Sequence, residues 1–229
     1  MRRMLAAVIL TSALIGVAAA QDEQPPPQCR YDASGQIDYD ACLAAAPPGS
    51  AWASLSLMNL ATRAYHSADF ATAVRFYDRA QPPDGGAMWS DAGYHAYYAA
   101  TLHQVGRSDD AIVQARRALG VLHSSPEVPE EIRRRFSSVR VDHELVYAAI
   151  LPVLHAAQDP QTDAVMSAYM ALPARDYVSW ANRAAVMLEI GDLEKGLRAN
   201  AEAMRLAPSH PVVLNNQCYI LVSMDRAEE

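Results

Sequence analysis

The chain has 229 residues, of which 51% are hydrophobic, and it carries a formal net charge of −7 at pH 7. This length suits one domain of ordinary size or one short helical array, and the apolar share is sufficient for a continuous core. The acidic balance argues against proteins that bind nucleic acid through clustered Lys and Arg, so no nucleic-acid partner is expected.

Residues 1–20 have the pattern of a secretory signal peptide. A pair of arginines precedes an apolar stretch over 5–17, and three alanines at 18–20 offer small residues for cleavage before Gln21. Because the stretch is shorter than the roughly 20 residues of a membrane-spanning helix, the alternative of an uncleaved anchor is disfavoured. We expect an exported protein with no integral membrane span after signal cleavage.

Residues 21–50 form a polar, proline-rich lead-in that holds two of the three cysteines. Cys29 and Cys42 enclose a short loop, and a pair so placed is expected to form a disulfide in an oxidising compartment. The third cysteine, Cys218, falls where the repeat described below requires a small buried residue. It is expected to be a packed free thiol.

From residue 51 onward, apolar residues recur at three- and four-residue spacing, which is typical of helices that bury one face. Proline and glycine separate these helices into consecutive pairs. The predicted helices are Ala51–Ser67 and Phe70–Gln81, Met88–Val105 and Asp109–Leu122, a weaker pair around 145–172, and Tyr177–Ile190 and Leu193–Leu206, followed by Pro211–Met224. We expect Pro152 to kink the first helix of the weaker pair.

A segment over 124–140 interrupts this pattern. Pro129, followed by two glutamates, is a typical helix start, and three arginines at 133–135 suit a helix end. Both charge placements complement the helix dipole. The arginines are compatible with a patch for an acidic ligand, but a solvated helix end is the favoured interpretation.

Small residues recur at fixed positions around the predicted turns. In the first, second and fourth pairs, the turn residue has a small residue seven positions before it and others five and twelve positions after it. The turn residues lie at 68, 106, 156, 191 and 225, and the period is near 34 once two inserts are subtracted. Such a period indicates a helical repeat array, which presents an extended surface to partners.

These small residues, set in a 34-residue helix–turn–helix unit, resemble the tetratricopeptide repeat family. Trp180 matches the family's bulky opening residue, and Tyr77 matches the aromatic residue of its second helix. The resemblance covers residues 51–229, with the last repeat incomplete. It implies an all-α fold, specifically an α-solenoid of antiparallel helix pairs.

The resemblance also implies a partner-binding groove on the concave face, lined by the first helix of each pair. Tyr65 and His66 are candidate anchor residues, with ordinary groove lining as the alternative. Relatives that clamp a terminal carboxylate use Lys, Arg and Asn on this face, and this chain has almost none there, so binding of chaperone tails is not expected. The implied groove residues are Met58, Thr62, Tyr65, His66, Ala96, Ala100, His103, Gln104, Ala181, Ala185, Leu188 and Glu189.

Patterns for enzymatic or metal chemistry are missing from the sequence. It has no HExxH, paired-cysteine, GxSxG, P-loop or dinucleotide-binding glycine pattern. His95 and His103 are eight residues apart, which is too far for the i, i+4 chelation used on helices. We therefore expect no catalytic, metal or cofactor site.

The sequence thus predicts an exported repeat protein that binds protein or peptide partners, as an adaptor or scaffold in the periplasm of a bacterial cell envelope. The alternative functions are a self-associating structural scaffold and an accessory subunit of an envelope enzyme. The alternative locations are anchorage to the membrane by an uncleaved signal, and secretion. The last predicted helix carries more apolar residues than one buried face needs. Three explanations for this excess are open. The favoured one is that the sequence is a truncated fragment, and the others are a homodimer contact and a helix supplied by a partner.

Overall fold

The computed structural model describes residues 25–32, 35–80, 92–124, 143–174, 176–226 and 228. The predicted signal peptide and the predicted helix start at Pro129 lie outside these residues. Within them the chain forms one short 3-10 helix and ten α-helices, with no strand. The all-α prediction is therefore confirmed for the described part of the chain.

The helix bounds follow the apolar periodicity closely. The 3-10 helix spans Pro27–Cys29, and the α-helices are α1 Tyr39–Ala45, α2 Ala51–His66, α3 Phe70–Ala80, α4 Ala92–Gln104, α5 Ser108–Ser124, α6 His143–Ala156, α7 Thr162–Ala171, α8 Tyr177–Ile190, α9 Leu193–Leu206 and α10 Pro211–Ser223. The bounds of α8 and α9 coincide with the predicted ones. Pro152 lies inside α6, and the helix continues beyond it to Ala156.

Two compact units divide the helices. In the amino-terminal unit, α2 packs on α3 and α4 packs on α5, while α1 covers α2. In the carboxy-terminal unit, α6 packs on α7, α8 packs on α9, and α10 lies against both α8 and α9. The predicted helix pairs are therefore present in each unit.

A disulfide between Cys29 and Cys42 joins the 3-10 helix to α1, as predicted. Both cysteines are buried and form a small core with Ala46 and Ala53, which Trp52 covers on one side. The carboxylate of Asp38 accepts hydrogen bonds from two backbone N–H groups at the start of α1, which is the usual role of an N-cap aspartate. This short segment is thus a separately cross-linked element that covers the start of α2.

The recurring small residues lie where paired helices touch. Three of these residues, Ala73, Ala111 and Ala203, have no exposed surface. A Cβ placed on Gly196 would lie 3.4 Å from the carbonyl oxygen of Ala184 and 3.4 Å from the Met187 Cβ. Small side chains therefore allow the backbones of α8 and α9 to approach closely, as they do in helix pairs generally.

A left-handed residue ends the first helix of every pair, and another ends α10. The five residues with positive φ at these ends are Ala68, Gly106, Gln158, Gly191 and Asp225. The next backbone N–H in each case bonds to the carbonyl five residues earlier, at 2.8 to 2.9 Å. This is the Schellman arrangement, which satisfies the last carbonyls of a helix. The structure places the third turn at Gln158, two residues after the predicted Ala156, because the last turn of α6 extends further.

The buried face of α10 differs from the predicted one. The apolar period of this helix predicts that Leu214, Cys218 and Leu221 are buried. Leu221 is buried, with 7% exposure, but Leu214 is 45% exposed and Cys218 is an exposed free thiol. Val213 and Ile220 are fully buried instead. The reason is that α10 contacts α8 and α9 through one side only, and no described helix covers the side that bears Leu214 and Cys218.

Within the described residues, no helix combines the length and the apolar character needed to cross a membrane.

Replacing Gly191 with alanine is expected to lower the free energy of unfolding by about 1 kcal/mol, because an L side chain is strained at positive φ. No atom lies within 4 Å of a Cβ at this position, so the cost is purely conformational. The matched control is Gly120→Ala, which lies inside α5 four residues before its last residue and is equally uncrowded, and which should instead stabilise by about 0.5–1 kcal/mol. Urea denaturation measures both, and changes of the same sign would contradict the role given to the turn.

Candidate functional site

A cluster of aromatic side chains joins α2 and α4 in the amino-terminal unit. The Tyr65 ring meets the Tyr97 ring edge to face, with centroids 5.5 Å apart, and His66 meets Tyr97 at 5.8 Å. Tyr65 also contacts Phe70 at 5.5 Å. Tyr65 is half-buried and His66 is exposed. We call Tyr65, His66, Phe70 and Tyr97 the aromatic cluster. Tyr97 is 4% exposed, so the accessible ring surface comes from the other residues, above all His66 and Tyr65, as suits contact residues in protein interfaces.

Next to the aromatic cluster lies a small pocket with a cavity volume of about 10 Å³, which is about the space that one water molecule needs. Its lining includes Tyr97, which the pocket shares with the aromatic cluster. The full lining is Met58, Asn59, Thr62, Tyr77, Tyr94 and Tyr97.

Polar groups in this pocket are held by the helices that carry them. The Thr62 hydroxyl donates to the Met58 carbonyl at 2.9 Å and lies 3.2 Å from the Tyr77 hydroxyl. The Asn59 amide donates to the Leu55 carbonyl at 2.9 Å. The pocket therefore has a hydroxyl pair at its wall, and its volume suits a water molecule rather than a side chain of a partner.

Two of the tyrosines that line the pocket, Tyr77 and Tyr94, belong to a stack of three tyrosine rings that also includes Tyr98. The Tyr77 and Tyr98 rings are stacked 5.2 Å apart, and Tyr94 meets Tyr77 edge to face at 5.6 Å. The Tyr98 hydroxyl donates to the Asp78 carboxylate, which also pairs with Arg107 at 3.1 Å. Burial, together with the neighbouring Tyr98 and Tyr77, raises the pKa of Tyr94 far above its ordinary value. Tyr94 is thus neutral, and its ring has a structural role in the stack.

The protonation of His66 follows from its surroundings. The His66 side chain is accessible, but the neighbouring Tyr65 and Tyr97 rings cover part of it. This partial burial lowers the pKa of His66 below its ordinary value. The imidazole is consequently neutral at pH 7. His66 therefore offers the aromatic cluster a ring face and a hydrogen-bonding nitrogen rather than a positive charge.

The structure brings together one part of the predicted groove. Met58 and Thr62 line the pocket, and Tyr65 and His66 lie beside it through their shared contact with Tyr97. The prediction omitted Tyr97, although the run of aromatic residues over 94–98 was a visible signal.

The other predicted groove residues on α4 have little accessible surface. Ala96 is fully buried and Ala100 is 6% exposed. His103 and Gln104 are half-buried at the end of the helix. A partner would therefore meet α4 through its last turn.

In the carboxy-terminal unit the predicted groove residues are dispersed. Ala181 is buried, and Leu188 packs with Ala184 and Ile220 in a small core. Ala185 is half-buried and Glu189 is exposed.

A second cluster of polar groups surrounds the buried side chain of Arg183. Arg183 is 1% exposed, and its guanidinium donates to the Leu172 carbonyl at 2.7 Å and lies over the Trp180 ring at 4.9 Å. The Nε atom lies 3.6 Å from the Glu144 carboxylate, which accepts a hydrogen bond from Ser179 at 3.1 Å. Because backbone carbonyls and a carboxylate surround the cation, Arg183 ties α6, α7 and α8 together rather than binding a ligand.

Across the part of the chain that the structure describes, no group of three or more His, Cys, Asp and Glu side chains is placed to hold a metal ion. The pocket and the aromatic cluster hold rings, a thioether, an amide and hydroxyls, which are groups of recognition surfaces. These two neighbouring features form the candidate functional site.

Comparison of the sequence with protein-family models finds no match, and comparisons with curated proteins and with solved structures also find none.

Proposed function

We propose that this protein binds a protein or peptide partner through the accessible rings of the aromatic cluster, as an adaptor or scaffold. The observation that carries the proposal is that the half-buried Tyr65 ring and the exposed His66 ring pack edge to face on the buried Tyr97 ring of a second helix. Aromatic side chains in pockets supply most of the energy in protein interfaces. The acidic charge of −7 disfavours a nucleic acid as the partner.

The proposed architecture is a tetratricopeptide-like array. Its support is the repeated left-handed helix end, which recurs at Gly191 and Asp225, one predicted repeat apart. The fully buried small residues at Ala73, Ala111 and Ala203 add to it. In such arrays the first helices of successive pairs form a continuous recognition surface, and α2 and α4 occupy those places.

The proposed location is the periplasm of a bacterial cell envelope. The buried Cys29–Cys42 disulfide supports export, because such cross-links persist in oxidising compartments. The pattern of residues 1–20 supports the same route.

Site-specific photo-crosslinking in cells tests the partner proposal. A photoreactive benzoyl-phenylalanine at position 66 should yield a cross-linked species, whereas the same group at Val113 should not. Val113 is a matched control because it is 46% exposed on α5 and lies outside the site. The Tyr65→Ala variant should reduce the yield at position 66 by about tenfold, as expected for an interface anchor.

Equal cross-linking at positions 66 and 113 would contradict the proposal. A product with the mass of two identical chains would instead favour the self-associating scaffold. Circular dichroism of Tyr65→Ala verifies that a lower yield does not arise from unfolding.

A further inference from the structure

His66 is the member of the aromatic cluster whose charge can change near neutral pH. Tyr65, Phe70 and Tyr97 carry phenol or phenyl rings, which are uncharged in this range, whereas an imidazole ordinarily titrates between about pH 5 and 8. The His66 ring meets Tyr65 edge to face at 5.6 Å and Tyr97 at 5.8 Å. One proton therefore converts an uncharged ring surface into a cationic one.

The end of α2 places His66 at the accessible side of the cluster. His66 is the last residue of α2, and the chain then turns through Ala68, whose φ is +58°. The Asp69 N–H bonds to the Ala64 carbonyl at 2.9 Å and closes this turn. His66 is exposed, while the Tyr97 ring on which it packs is 4% exposed. A partner that covers the cluster must therefore cover the imidazole.

The charged side chains on the elements next to His66 are balanced by their own neighbours. The Asp40 carboxylate of α1 pairs with Arg63 in the last turn of α2 at 2.7 Å. At the start of α3, the Asp69 carboxylate accepts the Thr72 N–H at 3.1 Å. Hydrogen bonds from Thr72, and to a smaller extent the charge of Arg75, lower the pKa of Asp69 below its ordinary value. Two acids and two bases thus surround the imidazole on this side.

The α4 side and the rest of α3 have the same balance. Asp78 of α3 pairs with Arg107 at 3.1 Å. On α4, His95 is buried and its Nδ1 atom lies 2.8 Å from the Gln114 amide oxygen, and His103 is half-buried in the last turn. The surface around the aromatic cluster is therefore close to neutral, which suits an uncharged partner segment better than an acidic or a basic one.

A partner acts on the imidazole in the same direction as the burial that is already present. The neighbouring rings lower the pKa of His66, because burial disfavours the charged form. A segment that covers His66 with uncharged groups lowers this pKa further, so the complex binds a proton less readily than the free protein. By linkage, the affinity is complete above the pKa of the free imidazole and falls as the pH drops below it.

We propose that the aromatic cluster binds an uncharged, apolar segment of the partner and that protonation of His66 releases it. This inference rests on the proposed function, to which it adds the chemistry of the partner and a dependence on pH. An acidic segment is disfavoured because the Arg63 guanidinium is already paired with Asp40. A basic segment is disfavoured because Thr72 and Arg75 already act on the Asp69 carboxylate.

Photo-cross-linking at two pH values tests this inference. Benzoyl-phenylalanine replaces Phe70, which keeps a ring in the cluster and leaves His66 in place. The purified protein is irradiated in an extract of the cells that make it, at about pH 7.5 and at about pH 5. We expect the yield to be at least about threefold lower at the lower pH, since most of the free imidazole is then charged. Mass spectrometry of the product should identify a cross-linked segment of uncharged, mainly apolar residues.

Two substitutions make the test specific. His66→Phe keeps a ring but removes the titrating group, so its yield should be the same at both pH values. His123→Phe removes an exposed histidine at the end of α5, and it should retain the loss at acid pH. Circular dichroism sets the lower pH at a value where all variants keep their helix content. If His66→Phe itself lowers the helix content, His66→Asn serves in its place.

Equal yields at the two pH values, or an equal loss in His66→Phe, would overturn the inference. A higher yield at acid pH would also do so, because an acidic segment would then meet the cationic imidazole. A yield that falls steeply with added salt would indicate a basic segment and would likewise overturn it. The absence of any product, in the parent and in His66→Phe alike, would contradict the proposed function itself and this inference with it, so the two failures are distinguishable.

Discussion

The Arg183→Met variant is expected to lose about 3–5 kcal/mol of unfolding free energy, the range for breaking one partner of a buried ion pair. Arg183 is 1% exposed, and it donates to the Leu172 carbonyl at 2.7 Å and to the Met170 carbonyl at 3.4 Å. Methionine fills much of the same volume, but it leaves these carbonyls without this donor and Glu144 without its cation. Urea denaturation followed by circular dichroism gives the difference.

A double-mutant cycle separates charge from packing. In Glu144→Leu/Arg183→Met the carboxylate is removed with its partner, so this variant should be more stable than Arg183→Met alone. The matched control is Arg198→Met on the exposed side of α9, which should change stability by less than about 0.5 kcal/mol. A loss below about 1 kcal/mol for Arg183→Met would show that the buried cation does not hold the three helices together.

Removal of the disulfide by Cys29→Ser/Cys42→Ser is expected to cost about 3 kcal/mol, as the chain-entropy estimate gives for a loop of roughly this length. The two cysteines are 13 positions apart and form the centre of the small core over α2. Serine hydroxyls would be buried there in place of sulfur, which adds a desolvation cost.

Thermal unfolding with and without a reductant measures the same quantity in the unmodified chain. Cys218→Ser is the control, because this thiol is exposed and unbonded, and it should melt like the parent. If the double variant and the parent melted at the same temperature, the segment of residues 25–46 would contribute nothing to the stability of α2.

Local signals in the sequence were sufficient for the helices. The bounds of α8 and α9 could be predicted to the residue because Gly191 and Pro208 mark helix ends and the apolar residues between them follow the helical period. The pairing of Cys29 with Cys42 could be predicted from their short separation. The burial of Ala203 followed from its place in the repeat.

Longer-range features depended on which helices become neighbours. Tyr97 joins Tyr65 although the two rings belong to different helix pairs, far apart in the sequence. Arg183 is buried only because α6 and α7 supply Glu144 and two carbonyls. A sequence pattern shows which side of a helix is apolar but does not show which neighbour covers it.

Helix α10 shows both kinds of feature, those determined by the local sequence and those determined by neighbouring helices. Its sequence by itself determined a helix from Pro211 that ends near Met224, because proline suits a first turn and the apolar period is local. Only the tertiary structure decided that Val213 and Ile220 are buried while Leu214 and Val222 face outward. The physical reason is that burial is a property of two surfaces in contact, and α8 and α9 reach one side of this helix alone.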